Sequence, residues 1–171
     1  MRKVIVNSTP LISLCKIDAL DLLRKRYGEI TIPEAVFQEV TAKNDQVKEL
    51  LFANRSWIHV EPITKAADKK MYKAKLHDGE VEVMILAQES NADLVVIDDG
   101  PARKTAEYLG LTLTGTIGIL IKSKQAGDIA SVMPYMNALL DKGIYIKPSL
   151  MEEVKKIHAN ELIQTKKPDI P

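Results

Sequence analysis

Along the chain, short apolar runs rich in β-branched residues alternate with stretches whose apolar positions recur every three or four residues. The runs fall at residues 3–6, 29–32, 57–60, 93–97, 111–114 and 144–147, each bounded by turn or helix-start residues. Most are continuously apolar, which predicts strands covered on both faces. Leu20, Leu22 and Leu23 follow Asp18, an N-cap residue type. Pro33 suits the first turn of a helix that carries Val36 and Val40 on one face. A helix is predicted from residue 45 to about 54 with Val47, Leu50 and Leu51 inward, and another, capped by Asp78, through Val81, Met84 and Ile85. Pro101 opens a helix that Gly110 closes, Gly115 precedes one over 117–122, and segments 133–140 and 150–157 complete the set. Strand–helix alternation of this kind predicts an α/β domain of three layers, α/β/α, around a parallel sheet. Neither a repeat nor a Pro/Ser/Gly-rich linker divides the chain, so one domain over residues 1–160 and a flexible C-terminal tail over 161–171 are expected.

Composition narrows the function classes. Among 171 residues, 24 Lys and Arg balance 23 Asp and Glu, which excludes a uniformly basic nucleic-acid coat and an acidic disordered tail. The single cysteine, Cys15, excludes a disulfide framework and a Cys-based zinc cluster, and fits a reducing cytoplasm. The longest apolar stretches are far short of a membrane span. Arg2 and Lys3 precede only Val4-Ile5-Val6, unlike a signal peptide.

Ligands of open parallel sheets collect beyond the carboxyl ends of the strands. There the sequence puts Asn7, Ser8 and Thr9 after the first strand, Asp98 and Asp99 after the 93–97 strand, and Thr116 after the 111–114 strand. Glu34, Glu39, Asp78 and Glu80 lie on the adjoining helices. Two carboxylates about 4 Å apart repel by roughly 4 kcal/mol at an effective dielectric of 20. A divalent cation removes that conflict, and this all-oxygen donor set suits Mg²⁺ or Mn²⁺. Taken singly, the same residues also suit plain structural roles: Glu34 and Glu80 at helix N-termini, Asp98 and Asp99 as caps.

Arg103 and Lys104 follow the Asp98-Asp99 pair and are candidates for holding phosphates of an RNA backbone, or form a solvated helix face. Lys65, Lys69 and Lys73 would share a helical face, a strip for RNA or an acidic partner, or a solvated face. His77 beside Asp78-Gly79-Glu80 reads as a surface or capping residue, and Cys15 as a small hydrophobe. Met133, Tyr135 and Met136 read as core or a dimer seam. GLTLTGT at 110–116 has P-loop glycine spacing but no lysine where one is required. The first strand is followed by no G-x-G-x-x-G. A phosphoacceptor receiver-like domain would want paired acids after that strand, where Asn7-Ser8 stand.

Four blocks occur in order: VIVNSTPLISLCKI, ITIPEAVFQEV, LHDGEVEVMILAQ and ADLVVIDDGPARKTAEYLGLTLTGTIGIL. Together they resemble a PIN domain of the prokaryotic branch similar to VapC-type toxin ribonucleases, over roughly residues 4–146. The resemblance implies about five parallel strands and a Mg²⁺- or Mn²⁺-dependent ribonuclease acting on RNA. It also implies the possibility of a small antitoxin partner and of a homodimer. The family's acidic quartet then falls on Asn7, Glu39, Glu80 and Asp98, with Asp99 adjacent, Ser8 or Thr9 as the early polar position and Thr116 as the late one. Glu39, Glu80 and Asp98 are the expected catalytic acids. Asn7 departs from the pattern: its carbonyl can ligate a cation but brings no charge and cannot act as a base. The alternative is therefore a weak or inactive PIN-like module that binds RNA or protein.

Overall fold

The computed structural model describes residues 1–43 and 45–165. The chain runs β1 (Val4–Val6), α1 (Ser8–Lys16), α2 (Asp21–Tyr27), β2 (Ile30–Pro33), α3 (Glu34–Lys43), α4 (Asp45–Ala53) and β3 (Ile58–Glu61). A 3-10 turn (Ala66–Asp68) leads to α5 (Lys69–Tyr72) and α6 (Asp78–Glu89). Then come β4 (Leu94–Val96), α7 (Gly100–Tyr108), β5 (Leu113–Thr114), α8 (Thr116–Gln125), α9 (Met133–Asp141) and α10 (Pro148–Thr165). The five strands form one parallel sheet in the order β3-β2-β1-β4-β5. Val4, Ile5 and Val6 stand opposite Leu94, Val95 and Val96, and Ile5 opposite Thr31 on the other side.

This order fixes where a site can form. From β1 the chain steps outward through β2 and β3, then returns to build β4 and β5 on the other flank. The direction of winding reverses between β1 and β4, and the crevice beyond their carboxyl ends is the switch point of the sheet. The strands that border it are wholly buried, as continuously apolar runs require when helices cover both faces. Packing of α3 on α6 and of α2 on α8 completes the three-layer α/β/α arrangement. Ile5, Leu11, Leu14, Ile32, Met84 and Ile97 are among the largest side chains fully enclosed. No helix among the described residues is long and apolar enough to cross a membrane.

Several expectations are corrected. Residues 8–16, of which Ser8 and Thr9 are expected as polar positions beyond a strand and where no helix is expected, form α1. Ser-Thr-Pro looks like a turn, yet Pro10 lies in the first helical turn, where a missing N–H costs nothing. Asp18 does not cap the next helix; it adopts a positive φ of 53°, and Leu20 occupies the N-cap of α2. Pro33 closes β2 rather than opening α3. His77, not Asp78, holds the N-cap position of α6. Residues 144–147 are not a strand: the Ile144 N–H bonds Leu139 O, closing α9 beyond Gly143 at φ 75°.

The lysine-rich segment is not one helical face. It is broken between the 3-10 turn and α5, with Lys69 Nζ 2.6 Å from Glu82 Oε1 and Lys73 Nζ 3.8 Å from Asp78 Oδ1. Residues 161–165, expected in a tail, continue α10, where Glu161 pairs with Lys124 at 2.6 Å. Residues 166–171 of that tail lie outside the described residues.

Candidate active site

Asn7 leaves β1 and starts α1, its N–H donated to Val96 O across the switch point at 3.0 Å. Its side chain is buried and makes no capping bond to α1. The next residue, Ser8, is also buried and donates its hydroxyl to Glu39 Oε2 at 2.8 Å. Glu39 therefore reaches from α3 to the start of α1, and it does so across the first turn of α6. A Cβ built on Gly79 would stand 2.8 Å from Glu39 Oε2. Glycine lets that carboxylate stand where it does, because a Cβ at this position would push its oxygen away.

Glu80 follows directly, its Oε2 accepting the His77 N–H at 3.0 Å. Burial pushes its carboxyl above the ordinary range; the His77 N–H opposes the shift, and the carboxylates of Asp99 and Glu39 add to it. Neighbouring carboxylates that disfavour the ionisation of Glu80 mark an acidic surrounding. Glu39, Glu80 and Asp99 thus converge from α3, α6 and the loop after β4. Asp99 is also the N-cap of α7, accepting the Ala102 N–H at 3.0 Å through Oδ2.

Asp98 is turned toward α8. Its Oδ1 accepts the Thr116 N–H at 2.8 Å and its Oδ2 the Thr116 hydroxyl at 2.6 Å. A Cβ on Gly115 would lie 2.7 Å from Asp98 Oδ1 and 3.3 Å from both Ile97 O and Arg103 Nη1, so a second glycine opens space for a second carboxylate. Arg103 donates from Nη1 to Ile97 O at 2.7 Å, which lays its guanidinium along the strand end. Lys104 and Thr9 are exposed, and Glu34 stays in solvent at the start of α3.

The expected residues therefore fall into two adjoining groups: Ser8, Glu39, Glu80 and Asp99 in one, and Asp98, Arg103 and Thr116 in the other. The donors are hard oxygens, which suits Mg²⁺ or Mn²⁺ by chemistry. Glu80 Oε1 and Asp99 Oδ1 carry no hydrogen bond among the described residues. Yet among those residues no three side chains of His, Cys, Asp or Glu stand together in a spacing ready for a metal.

The sequence reading missed the two glycines that make room for the acids. Each lies directly beside a candidate residue, in Gly79-Glu80 and Gly115-Thr116, and that adjacency was the available signal. It also missed Glu82, which is buried on α6 between Lys69 and the Ala35 N–H at the start of α3, 2.8 Å away. Glu82 holds α3 against α6 and so fixes the relative heights of Glu39 and Glu80.

A family model described as PIN domain matches residues 3–161. The chain belongs to the PIN-domain family. No curated protein matches it significantly. The five-stranded parallel sheet and its flanking helices agree with the PIN fold. PIN domains are generally nucleases and typically use divalent metals. The acidic crevice of this PIN domain lies at the place where the sheet's winding reverses.

Proposed function

We propose that this PIN domain is a Mg²⁺- or Mn²⁺-dependent endoribonuclease. The observation that carries the reading is the placement of Glu39, Glu80, Asp98 and Asp99 around the switch point of the sheet, with the Glu39 carboxylate held by Ser8 against Gly79, the neighbour of Glu80. Glu39, Glu80 and Asp99 would hold the ion, with the Asn7 carbonyl and Asp98 at its margin. When bound, such an ion lowers the pKa of a water and stabilises charge on a phosphodiester. Ser8 and Thr116 act as positioning residues, because their buried hydroxyls fix the Glu39 and Asp98 carboxylates. Burial and the neighbouring carboxylates raise Glu80 above the ordinary range, and a nearby cation would oppose that rise.

The toxin role, with a small antitoxin as partner and a homodimeric assembly, is part of the proposal through the resemblance of the four sequence blocks to VapC-type ribonucleases. Asn7 favours a second reading, a weak or silent RNA- or protein-binding module, since a buried amide replaces an acid.

Titrating the purified protein with Mn²⁺ over labelled RNA tests the main reading. Glu80→Gln and Asp98→Asn should each lower cleavage by about a hundredfold or more. Equal degradation by the wild type and both variants would mean that the acids are not the nuclease centre.

A further inference from the structure

Beside the acids lies a cleft of about 720 Å³ between α7 and the segment from α5 to Leu76. This is within the roughly 300–1,000 Å³ range of ligand clefts. One wall is a single face of α7, where Pro101, Lys104, Thr105 and Tyr108 recur at helical spacing. The other wall carries Met71, Tyr72 and Lys75. Tyr108 is 91% exposed and Met71 80%, so two large side chains line the cleft without burying themselves. Lys75 and Lys104 are its charges, and no Asp or Glu lines it. In a chain of net charge +1, that local imbalance sets this wall apart.

Both walls of the cleft are joined along the chain to segments that carry the acids. Leu76 at its floor precedes His77, whose N–H Glu80 accepts, and Pro101 lies two residues past Asp99. A strand whose phosphodiester sits at the acids must continue in some direction, and this is the adjoining channel with aromatic faces and cations together. Stacking surfaces plus lysines are the chemistry that holds a single strand without reading its sequence. An acidic peptide is the competing occupant; an exposed tyrosine ring flanked by two lysines matches the alternating base and phosphate of a single strand.

We propose that this cleft is the track for a single-stranded segment of the RNA, with Tyr108 as a base-stacking platform and Lys75 and Lys104 as phosphate contacts. The assignment rests on the ribonuclease reading for the identity of the strand, and its test is kept separate from cleavage. A short fluorescein-labelled oligouridine is bound in EDTA and followed by anisotropy. Tyr108→Ala should weaken binding about tenfold, while Tyr108→Phe, which keeps the ring, should stay near wild type. Lys104→Ala and Lys75→Ala should each flatten the salt dependence by about 0.7 in log–log slope. All three side chains are surface ones, and melting temperatures confirm folding.

Unchanged binding by Tyr108→Ala overturns the proposal, as does Tyr108-dependent binding of a Glu-rich amphipathic peptide by a protein that ignores the oligouridine. If Glu80→Gln leaves cleavage intact while Tyr108→Ala still weakens binding, the nuclease centre is wrong and the track stands. If Glu80→Gln abolishes cleavage while Tyr108→Ala changes nothing, the track alone falls.

Discussion

Replacing Gly79 by alanine tests the link between backbone and acid most directly. The added Cβ would stand 2.8 Å from Glu39 Oε2, but 3.4 Å from Val36 Cγ2 and 3.5 Å from Ser8 Oγ, which are ordinary contacts. Only the Glu39 carboxylate has to yield, and as the end of a flexible side chain it does so by swinging off Ser8. The lost hydrogen bond to a charged acceptor is worth about 1.5–3 kcal/mol. Alanine in a helix returns about 0.5–1 kcal/mol over glycine. The net expectation is a loss of about 0.5–2.5 kcal/mol, or a fall in Tm of about 1–10 °C for a chain of this size. Urea unfolding of wild type, Gly79→Ala, Ser8→Ala and the double variant measures it as a cycle. Because both changes act through one bond, the double variant should be more stable than the sum of the singles predicts by the value of that bond, about 1.5–3 kcal/mol. A Gly79→Ala protein as stable as wild type, or a cycle that is additive to within about 0.3–0.5 kcal/mol, would refute the argument. Mn²⁺-dependent cleavage should fall with the displaced carboxylate, by about tenfold or more.

Other perturbations have equally definite outcomes. Thr116→Val removes the hydroxyl that Asp98 accepts from and should cost about 1–3 kcal/mol in denaturant unfolding, whereas Thr116→Ser should retain most of that stability. Burial, reinforced by the Asp18 carboxylate, pushes the Cys15 thiol up to about 12 from 9.0. Above pH 9 the unfolded chain then releases a proton that the folded chain keeps, so stability should fall as pH rises, by about 1.4 kcal/mol per unit. Unfolding curves at pH 8.5 to 10.5 should show that slope reduced in Cys15→Ala; equal slopes would remove the thiol as its cause. Asn7→Asp should raise Mn²⁺-dependent RNA cleavage if the native amide limits the site, and unchanged turnover would show that the other acids suffice.

The sheet was legible because its signal is local. Runs such as Val4-Ile5-Val6 and Leu94-Val95-Val96 are continuously apolar, and burial on both faces of a parallel sheet demands that. Segment 144–147 has the same texture but closes a helix, because β-branched composition does not say whether a neighbouring strand is available to pair with. Helix α1 was hidden by the opposite ambiguity, a Pro that ends helices in their interior but is harmless in the first turn. At the site, the acids were visible as residue types beyond strand ends, and Asn7 as the departure among them.

By itself the sequence determined the alternation of strands and helices, the oxygen-rich residues at the strand ends and the missing charge at Asn7, since each is a property of composition and short-range spacing. Only the tertiary structure decided the strand order that brings β1 beside β4. It also decided that Glu80 lies within the influence of Asp99 and Glu39 while Asp98 turns to Thr116, and that Gly79 and Gly115 leave the gaps beside which Glu39 and Asp98 stand. Which side chains meet across tens of residues depends on how helices pack over the sheet, and that packing is a sum of many contacts that no short window of sequence contains.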